Sequence, residues 1–279
     1  MGEIKLENIN KEVIQGFGDE WQRFDQSQVK NDELTRLFEA YFHIFPWASL
    51  PPNAVGFDLG CGSGRWAKLV AMRVGYLHLI DPSLEALNVA RRNLQELQNC
   101  EFHCSSVEAI PLTDESADFG YALGVLHHIP NTQQGIKHCV AKLKRGAPFL
   151  LYLYYAFDNR PPWYKTVWKA SESIRWGVSR LPMTLRYLIS QMLAGLLYWP
   201  FARTSLLLEK LGFNVEEFPL SEYRYRSFYI MRNDALDRFG TQLEQRFTKI
   251  QIQQMMEQAG LHNITFSNRS FWTAFGYKK

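Results

Sequence analysis

Residues 54–64 run from a short apolar segment into glycines at 60, 62 and 64, and no other stretch constrains the fold as strongly. They read Ala-Val-Gly-Phe-Asp-Leu-Gly-Cys-Gly-Ser-Gly. Because glycine has no Cβ, such a segment can turn tightly and bring its backbone within contact distance of a ligand. A second apolar run ends at Asp81, seventeen residues after Gly64. A carboxylate at a strand end beside a glycine-rich turn suits the hydroxyl groups of a ribose, so we expect a nucleoside-containing cofactor.

The segments around this motif alternate between strand and helix patterns. Apolar runs predict strands at 54–59, 76–80, 101–104, 118–123 and 148–155, and helical spacing predicts helices at 64–73, 83–97 and 132–144. Helices between successive strands indicate a doubly wound, mostly parallel sheet. A last helix over Thr248–Ala259 and strands over His262–Ser267 and Trp272–Tyr277 are expected near the C-terminal end.

The spacing of the glycines distinguishes between cofactors. The dinucleotide fingerprint has glycines at relative positions one, three and six, whereas here they fall at one, three and five and Arg65 fills the sixth. A bulky side chain there opposes the close helix–strand packing of the NAD motif. Asp58 lies within the strand, two residues before Gly60, where a carboxylate can meet a cationic amine. Both features favour S-adenosylmethionine, which carries an amine, a ribose and an adenine but no phosphate.

Four motifs, in order, resemble the class I S-adenosylmethionine-dependent methyltransferases, small-molecule branch. They are the segments 58–64, 80–83, 105–112 and 118–130. The resemblance covers residues 54–155 closely and 248–278 loosely. It implies an α/β fold with a doubly wound, mostly parallel seven-stranded sheet, a terminal antiparallel hairpin, an N-terminal helical arm and a mainly helical cap insertion.

The same resemblance assigns the cofactor-binding residues. It implies that the pocket for the methionine end of the cofactor is formed by Asp58, Gly60, Cys61, Gly62 and Gly64. It also implies that Asp81, with Pro82 beside it, binds the ribose and that Ser106 and Val107 bind the adenine. Gly124 and Val125 would line the floor of the pocket near the sulfur. Many relatives have Asp where this chain has Ser106, so the hydrogen bond to adenine is expected to be weaker. Cys61 has the alternative role of a small residue that only fills space in the turn.

The rest of the chain predicts three regions. Residues 1–50 form a helical arm, 51–155 with 248–279 form the cofactor-binding core, and 156–247 form a mostly helical cap inserted before the last helix. In the arm, a helix is expected over Asn31–Phe45, after a glycine-broken aromatic segment that contains Trp21. The aromatic residues of that segment either close over the cofactor, where Trp21 would also meet the acceptor, or anchor the arm to the core.

His128 is the candidate catalytic base. Methyl transfer from a sulfonium is an in-line displacement, and a hydroxyl acceptor benefits from a base that takes its proton. Imidazole titrates near neutral pH, and His128 follows the fourth predicted strand; the alternative is that it only shapes the cofactor pocket. No metal site is expected, because His127, His128 and His138 have no Asp or Glu at ligand spacing around them.

Arginines in the cap suggest an anionic acceptor. Arg224, Arg226 and Arg232 occur close together, and guanidinium groups pair with carboxylates and phosphates. Tyr223 beside them is expected to stack on a sugar ring or base, or simply to pack. The alternative for the arginines is internal salt bridging with the interleaved acids Glu222, Asp234 and Asp237.

Composition and charge bear on the ligands and the cellular compartment of the protein. A net charge of +3 is too small to imply nucleic acid by itself. Four cysteines without C-x-x-C spacing fit a reducing compartment, and the first residues lack the pattern of a secretory signal, so we expect a cytoplasmic protein. The apolar segment Met183–Ala202 is interrupted by polar residues; a buried cap helix is favoured over contact with a membrane interface, and spanning is disfavoured.

The sequence therefore predicts an S-adenosylmethionine-dependent methyltransferase that acts on a hydroxyl of a small, anionic acceptor: a sugar, nucleotide-sugar, organic acid or lipid precursor. Methylation of an amine on a small molecule or protein is the first alternative. A protein that binds the cofactor without catalysis, or that uses it for a different reaction, also remains open. Methylation of nucleic-acid base amines is disfavoured, because Gly124-Val-Leu-His stands where such enzymes have an Asn/Asp-Pro-Pro-aromatic turn.

Overall fold

The computed structural model describes residues 8–269 and 271–279, and its centre is a seven-stranded sheet. The strand order is β3-β2-β1-β4-β5-β7-β6. Strands β1 to β5 run parallel, and β7 pairs antiparallel with both β5 and β6. The strands are Val55–Leu59 (β1), Tyr76–Asp81 (β2), Cys100–Cys104 (β3), Phe119–Leu123 (β4), Pro148–Tyr152 (β5), Leu261–Phe266 (β6) and Thr273–Lys278 (β7). The predicted doubly wound fold with its terminal hairpin is confirmed.

Ten α-helices lie in the described part of the chain. They are Lys11–Arg23 (α1), Asn31–Phe42 (α2), Ala67–Val70 (α3), Leu84–Asn93 (α4), Thr132–Lys142 (α5), Pro162–Val178 (α6), Met183–Leu193 (α7), Trp199–Lys210 (α8), Phe228–Gly240 (α9) and Lys249–Gln258 (α10). A π-helical stretch, Ala194–Tyr198, joins α7 to α8.

Strands β1 and β4 approach closely because glycine faces phenylalanine twice across the pair. Gly56 is opposite Phe119 and Gly120 is opposite Phe57. A Cβ on Gly56 would lie 2.2 Å from the Phe119 ring, and one on Gly120 would lie 2.3 Å from the Phe57 ring. Any larger residue at either glycine would therefore push the strands apart. The pairing brings the carboxyl ends of β1 and β4, where the glycine turn and His128 follow, to the same edge of the sheet.

The chain forms two compact units. The core unit comprises the described residues through Asp25, Thr35–Asp158 and Leu243–Lys279, and the cap unit comprises Gln26–Leu34 and Asn159–Gln242. The predicted division into arm, core and cap at residues 50, 155 and 247 stays a prediction. Within the described residues, no helix is both long and apolar enough to cross a membrane.

The cap unit has its own apolar core. Seven buried residues form it: Val178, Ala194, Tyr198, Ala202, Met231, Ala235 and Phe239. The opposite face of the α7–α8 segment is also apolar but exposed, with Leu188 at 51%, Met192 at 61% and Leu196 at 68% exposure. One face of this segment is thus buried in the cap unit, as the sequence favoured, and the other face is an exposed apolar stripe.

Candidate cofactor and active site

The turn after β1 requires glycine at three positions. Gly60, Gly62 and Gly64 have φ angles of +72°, +53° and +74°, which residues with a Cβ adopt only at a cost in strain. The Gly60 amide donates to the Ile80 carbonyl at 2.7 Å, so the turn is fixed to the end of β2. A Cβ on Gly60 would lie 2.4 Å from Val125, which follows β4. The turn therefore closes against both neighbouring strands.

Asp81 orients the glycine turn through its carboxylate. Its two oxygens accept hydrogen bonds from the backbone amides of Gly62 and Ser83, each at 2.9 Å. Burial raises the pKa of Asp81 to about 6, although these hydrogen bonds act to lower it. Pro82 follows directly and is exposed, and Ser83 caps α4. The carboxylate lies at the carboxyl end of β2, where the ribose of the cofactor is expected.

Asp58 is buried in β1 with a mostly protonated carboxyl. It is 1% exposed and accepts a hydrogen bond from the Tyr121 hydroxyl at 3.0 Å. Burial is the main reason that its pKa rises to about 8; Asp81 raises it further, and Tyr121 and Arg65 oppose the rise. A cationic amine placed here would compensate the buried charge and favour the ionised form. Asp58 can therefore hold the amine of the cofactor.

Cys61 is a buried thiol within the turn. Burial, together with Asp81 and Asp58, holds the pKa of Cys61 well above its usual range. A protonated buried thiol is a poor nucleophile. Its packing fits the space-filling alternative.

The predicted adenine loop lies beside Asp81. The Ser105 amide donates to the Asp81 carbonyl at 3.1 Å, which places Ser106 and Val107 next to the end of β2. Both residues are buried, and the Ser106 hydroxyl has no hydrogen-bond partner among the described residues. A buried hydroxyl without a partner costs free energy unless a ligand or water satisfies it. This hydroxyl therefore fits the binding of a polar ring such as adenine.

His128 is held in one tautomer by the backbone. Its Nδ1 atom lies 2.7 Å from the Leu243 carbonyl, and its ring centroid lies 4.9 Å from that of Phe17. A carbonyl oxygen can only accept, so Nδ1 carries the proton and the lone pair of the neutral ring is on Nε2. His127 is fully buried between His128 and Tyr154, and burial holds its pKa well below the usual range.

Comparison with known proteins identifies the domain. Residues 57–151 match the family described as "Methyltransferase domain". Residues 57–151 therefore form a class I S-adenosylmethionine-dependent methyltransferase domain. The Coxiella burnetii ubiquinone biosynthesis O-methyltransferase is 26% identical over 158 residues, which are 56% of this chain and 66% of that protein. The chain thus covers slightly less than two thirds of the length of such relatives.

Two solved structures share the fold of the methyltransferase domain. Human N-acetylserotonin methyltransferase in complex with S-adenosylmethionine is 15% identical, with a TM-score of 0.54 over 95% of this chain and 57% of that one. A chain of the Haloferax volcanii complex with the Trm112 methyltransferase activator is 13% identical, with a TM-score of 0.52 over 94% and 96% of the two chains.

Helix α1 belongs to the core unit and lies over the glycine turn. A Cβ on Gly62 would lie 2.7 Å from the Trp21 indole, so Trp21 covers this glycine directly. Phe17, one helical turn earlier, contacts His128. The Arg65 guanidinium lies 5.5 Å from the Trp21 ring centroid and 4.4 Å from that of Trp66. One face of α1 thus contacts both ends of the region between Gly62 and His128.

The cap arginines already have partners inside their own unit. Arg224 pairs with Glu209 at 2.9 Å and Arg226 with Asp234 at 3.1 Å. Arg232 donates to the Tyr187 hydroxyl at 2.7 Å and to the Gln191 side chain. Tyr223 packs edge-on against Tyr198, with the Arg226 guanidinium 4.7 Å from its ring centroid. Internal pairing was the alternative explanation of this cluster, and the arginines add no independent support for an anionic acceptor.

Two participants in the site were not singled out from the sequence. Tyr121 pairs directly with Asp58 across β1 and β4, so strand register would have found it once the sheet order was known. The Leu243 carbonyl that orients His128 lies 115 residues away along the chain. No local pattern could have indicated that contact.

Proposed function

We propose that the chain transfers a methyl group from S-adenosylmethionine to a hydroxyl group of a small molecule. The observation that carries the proposal is the fixed tautomer of His128. Bound S-adenosylmethionine would supply a methyl group that is already activated by its sulfonium. Asp58, the glycine turn, Asp81 and the Ser106–Val107 loop would bind it, and Gly124 and Val125 would line the space near the sulfur.

The orientation of His128 favours a hydroxyl acceptor over an amine. A hydroxyl must lose a proton during transfer, and a positioned base contributes about 10²–10⁴-fold to such a step. His128 presents Nε2 as the only basic atom of its ring, because Nδ1 donates to Leu243. A neutral amine needs no such base. The printed name of the Coxiella burnetii relative, an O-methyltransferase, supports the same preference.

The surroundings of the site favour an acceptor with an apolar part. Aromatic rings cluster after the end of β5 within the core unit: Tyr152 contacts Tyr154 at 6.0 Å and Phe271 at 5.7 Å between centroids, and Tyr154 contacts His127 at 3.9 Å. Aromatic walls recognise planar or apolar groups. We keep an anionic group on the acceptor within the proposal and assign it no partner among the cap arginines, because these pair within their own unit.

We also propose that the exposed apolar stripe of α7–α8 contacts a membrane interface. Residues 159–242 carry twelve Lys and Arg against seven Asp and Glu, a net charge of +5 in a chain whose total is +3. A basic segment with exposed Leu, Met and Trp is typical of binding to anionic lipid surfaces. For the compartment we propose the cytoplasm, and the four free cysteines support it.

The test uses labelled S-adenosylmethionine and a panel of matched acceptors. Each pair has the same apolar body and carries either a hydroxyl or an amine, with and without a carboxylate. We expect label on the hydroxyl members. His128→Gln is expected to lower turnover at least about 100-fold, by the loss of base catalysis, with little change in cofactor affinity. His43→Gln is the matched control, because His43 is exposed and far along the chain from the site.

Three results would overturn this proposal. If His128→Gln keeps wild-type turnover between pH 6 and pH 8, His128 is not the base. If label reaches only the amine members, the enzyme is an N-methyltransferase. Cofactor binding without transfer to any acceptor would instead favour a non-catalytic binding protein.

A further inference from the structure

Three potential metal ligands meet at the edge of the sheet, away from the glycine turn. His78 lies in β2, and Glu101 and His103 lie two residues apart in the edge strand β3. Parallel pairing places His78 opposite Glu101, and Ile80 opposite His103. Because side chains two residues apart on a strand share a face, Glu101 and His103 both project on the side of His78.

The distances within this trio match a tetrahedral metal site. His78 Nδ1 lies 3.0 Å from His103 Nε2 and 3.2 Å from Glu101 Oε2, and His103 Nε2 lies 3.7 Å from the same carboxylate oxygen. Tetrahedral zinc binds nitrogen and oxygen at about 2.0–2.2 Å, which requires ligand atoms about 3.3–3.5 Å apart. The three separations bracket that value, so a cation could enter with shifts of a few tenths of an ångström.

The environment of the trio also fits a metal centre. Both histidine side chains are largely buried, with 16% and 17% exposure, whereas Glu101 is 48% exposed. A cation would therefore have two fixed ligands, one adjustable ligand and access to water for a fourth position. The Tyr76 hydroxyl donates to Glu101 Oε2 at 3.4 Å and its ring packs edge-on against His78. Such outer contacts orient ligands in metal sites.

We propose that His78, Glu101 and His103 bind one zinc-class divalent cation. The site is separate from the cofactor-binding residues, and a bound cation would link the edge strand β3 to β2. The loop after β3 contains Ser106 and Val107, so bound metal would stiffen the adenine end of the cofactor site. The expectation of no metal was argued from His127, His128 and His138; only strand register brings this other trio together.

The experiment uses the tag-free full chain after removal of metal with a chelator. We expect calorimetric titration with Zn²⁺ to show one saturable equivalent, and Co²⁺ to give the visible absorption of a tetrahedral site. Zinc should also raise the Tm of the wild type in a concentration-dependent way. His103→Gln and Glu101→Gln should weaken zinc binding at least about 100-fold, while His43→Gln should bind as the wild type does.

The outcomes separate a metal site from a purely hydrogen-bonded cluster. Folded wild type that binds no equivalent of zinc, or binding that is equal in His103→Gln and wild type, overturns the proposal. Glu101→Gln tests the site even if the histidine variant misfolds, because Glu101 is half exposed and its replacement should not disturb the core. A Tm rise that persists in both ligand variants would place the zinc elsewhere and also overturn it.

Discussion

Asp58 ties the stability of the apoprotein to its affinity for the cofactor. The folded apoprotein holds the Asp58 proton until its pKa of about 8, whereas an unfolded chain loses it near pH 4. The contribution of this group to stability is therefore largest below about pH 4 and is lost as pH rises to about 8. A bound ammonium would reverse this preference, because it stabilises the carboxylate.

We therefore expect Asp58→Asn to stabilise the apoprotein while weakening cofactor binding. Asparagine can still accept from Tyr121 but never ionises. The Tm of the variant should exceed that of the wild type by an amount that grows between pH 5 and pH 8, where about 1 kcal/mol corresponds to roughly 2–4 °C for a chain of this size. Affinity for S-adenosylmethionine should fall about 10–100-fold, as expected for loss of a charged hydrogen bond.

The control for Asp58 is Asp118→Asn. Asp118 accepts from the Val55 amide at 2.9 Å and pairs with Lys144 at 2.7 Å, so its replacement should lower the Tm without affecting cofactor affinity. Thermal scans and calorimetry on both variants distinguish the two cases. A Tm difference for Asp58→Asn that does not change with pH would contradict the argument.

Arg226 provides a test of the anionic acceptor. Its guanidinium pairs with Asp234 and packs on Tyr223, and both carboxylate and guanidinium are largely buried. We expect Arg226→Gln to lower the Tm by several degrees, since breaking a partly buried pair leaves Asp234 uncompensated, and to leave the acceptor KM unchanged. Lys169→Gln, which removes an exposed cation of the cap unit, should change neither. A large rise in KM with no loss of Tm would restore the anion-binding role.

Single residues could be predicted from the sequence where their role depends on nearby residues. Gly60, Gly62 and Gly64 could be identified because a tight backbone turn needs glycine, and Asp81 because it ends an apolar strand. The structure places all four residues together. The roles of Tyr121 and Leu243 depend on strand register and on a long-range contact, which local sequence patterns do not encode. The arginines illustrate the opposite case, because spacing along the chain could not tell a ligand site from internal ion pairs.

Helix α1 shows how tertiary packing overrides local propensity. Gly16 and Gly18 predicted a broken segment, yet Lys11–Arg23 is one helix. Gly18 is used for close approach, since a Cβ there would lie 2.6 Å from the Ser83 hydroxyl oxygen at the start of α4. The helix can therefore lie flat beside the cofactor loop, and the cost of a helical glycine, about 1 kcal/mol, is offset by that packing.

The position of Trp21 over Gly62 predicts a role in retaining the cofactor. We expect Trp21→Ala to weaken S-adenosylmethionine binding about tenfold and to speed its release in stopped-flow measurements, because the turn loses its cover. Trp163→Ala, at an exposed position in the cap unit, is the control for loss of an indole. If Trp21→Ala lowers only the Tm and leaves cofactor affinity unchanged, Trp21 anchors the arm and does not act as a lid.

The remaining elements were predicted in type, with errors at their ends. The helix expected at 64–73 begins later, because the glycine turn continues past Gly64; it is α-helical over Ala67–Val70 and 3₁₀-helical over Ala71–Arg73. Strand β5 ends at Tyr152 where 155 was expected; the chain then leaves the sheet, and Tyr155 bridges to Phe247. Apolar patterns identify buried strands well, but their ends depend on where neighbouring backbone offers partners, which periodicity does not encode.

The cap unit has two apolar faces on one helical segment, and only one of them is covered. Ser190, Ala194 and Ala202 are fully buried, whereas Leu188, Met192 and Leu196 are more than half exposed. An exposed apolar stripe of this kind marks a contact with another surface. The excess positive charge of residues 159–242 and the exposed Trp176 and Trp199 favour an anionic lipid surface over a second protein.

We expect the purified chain to co-sediment with vesicles that contain phosphatidylglycerol and much less with vesicles of phosphatidylcholine alone. Binding should weaken with salt, because the electrostatic part is screened within about 10 Å at 0.1 M ionic strength. Replacing Leu188 and Leu196 together by Asp should abolish it, since the change places charge in the apolar stripe. Ile250→Asp, an equally exposed apolar position in α10 of the core unit, should bind like the wild type. Equal sedimentation of the double variant and the wild type would show that the stripe does not contact lipid. Turnover on a water-soluble acceptor is measured on the same samples, because a variant that has lost only lipid binding keeps this turnover and a misfolded one does not.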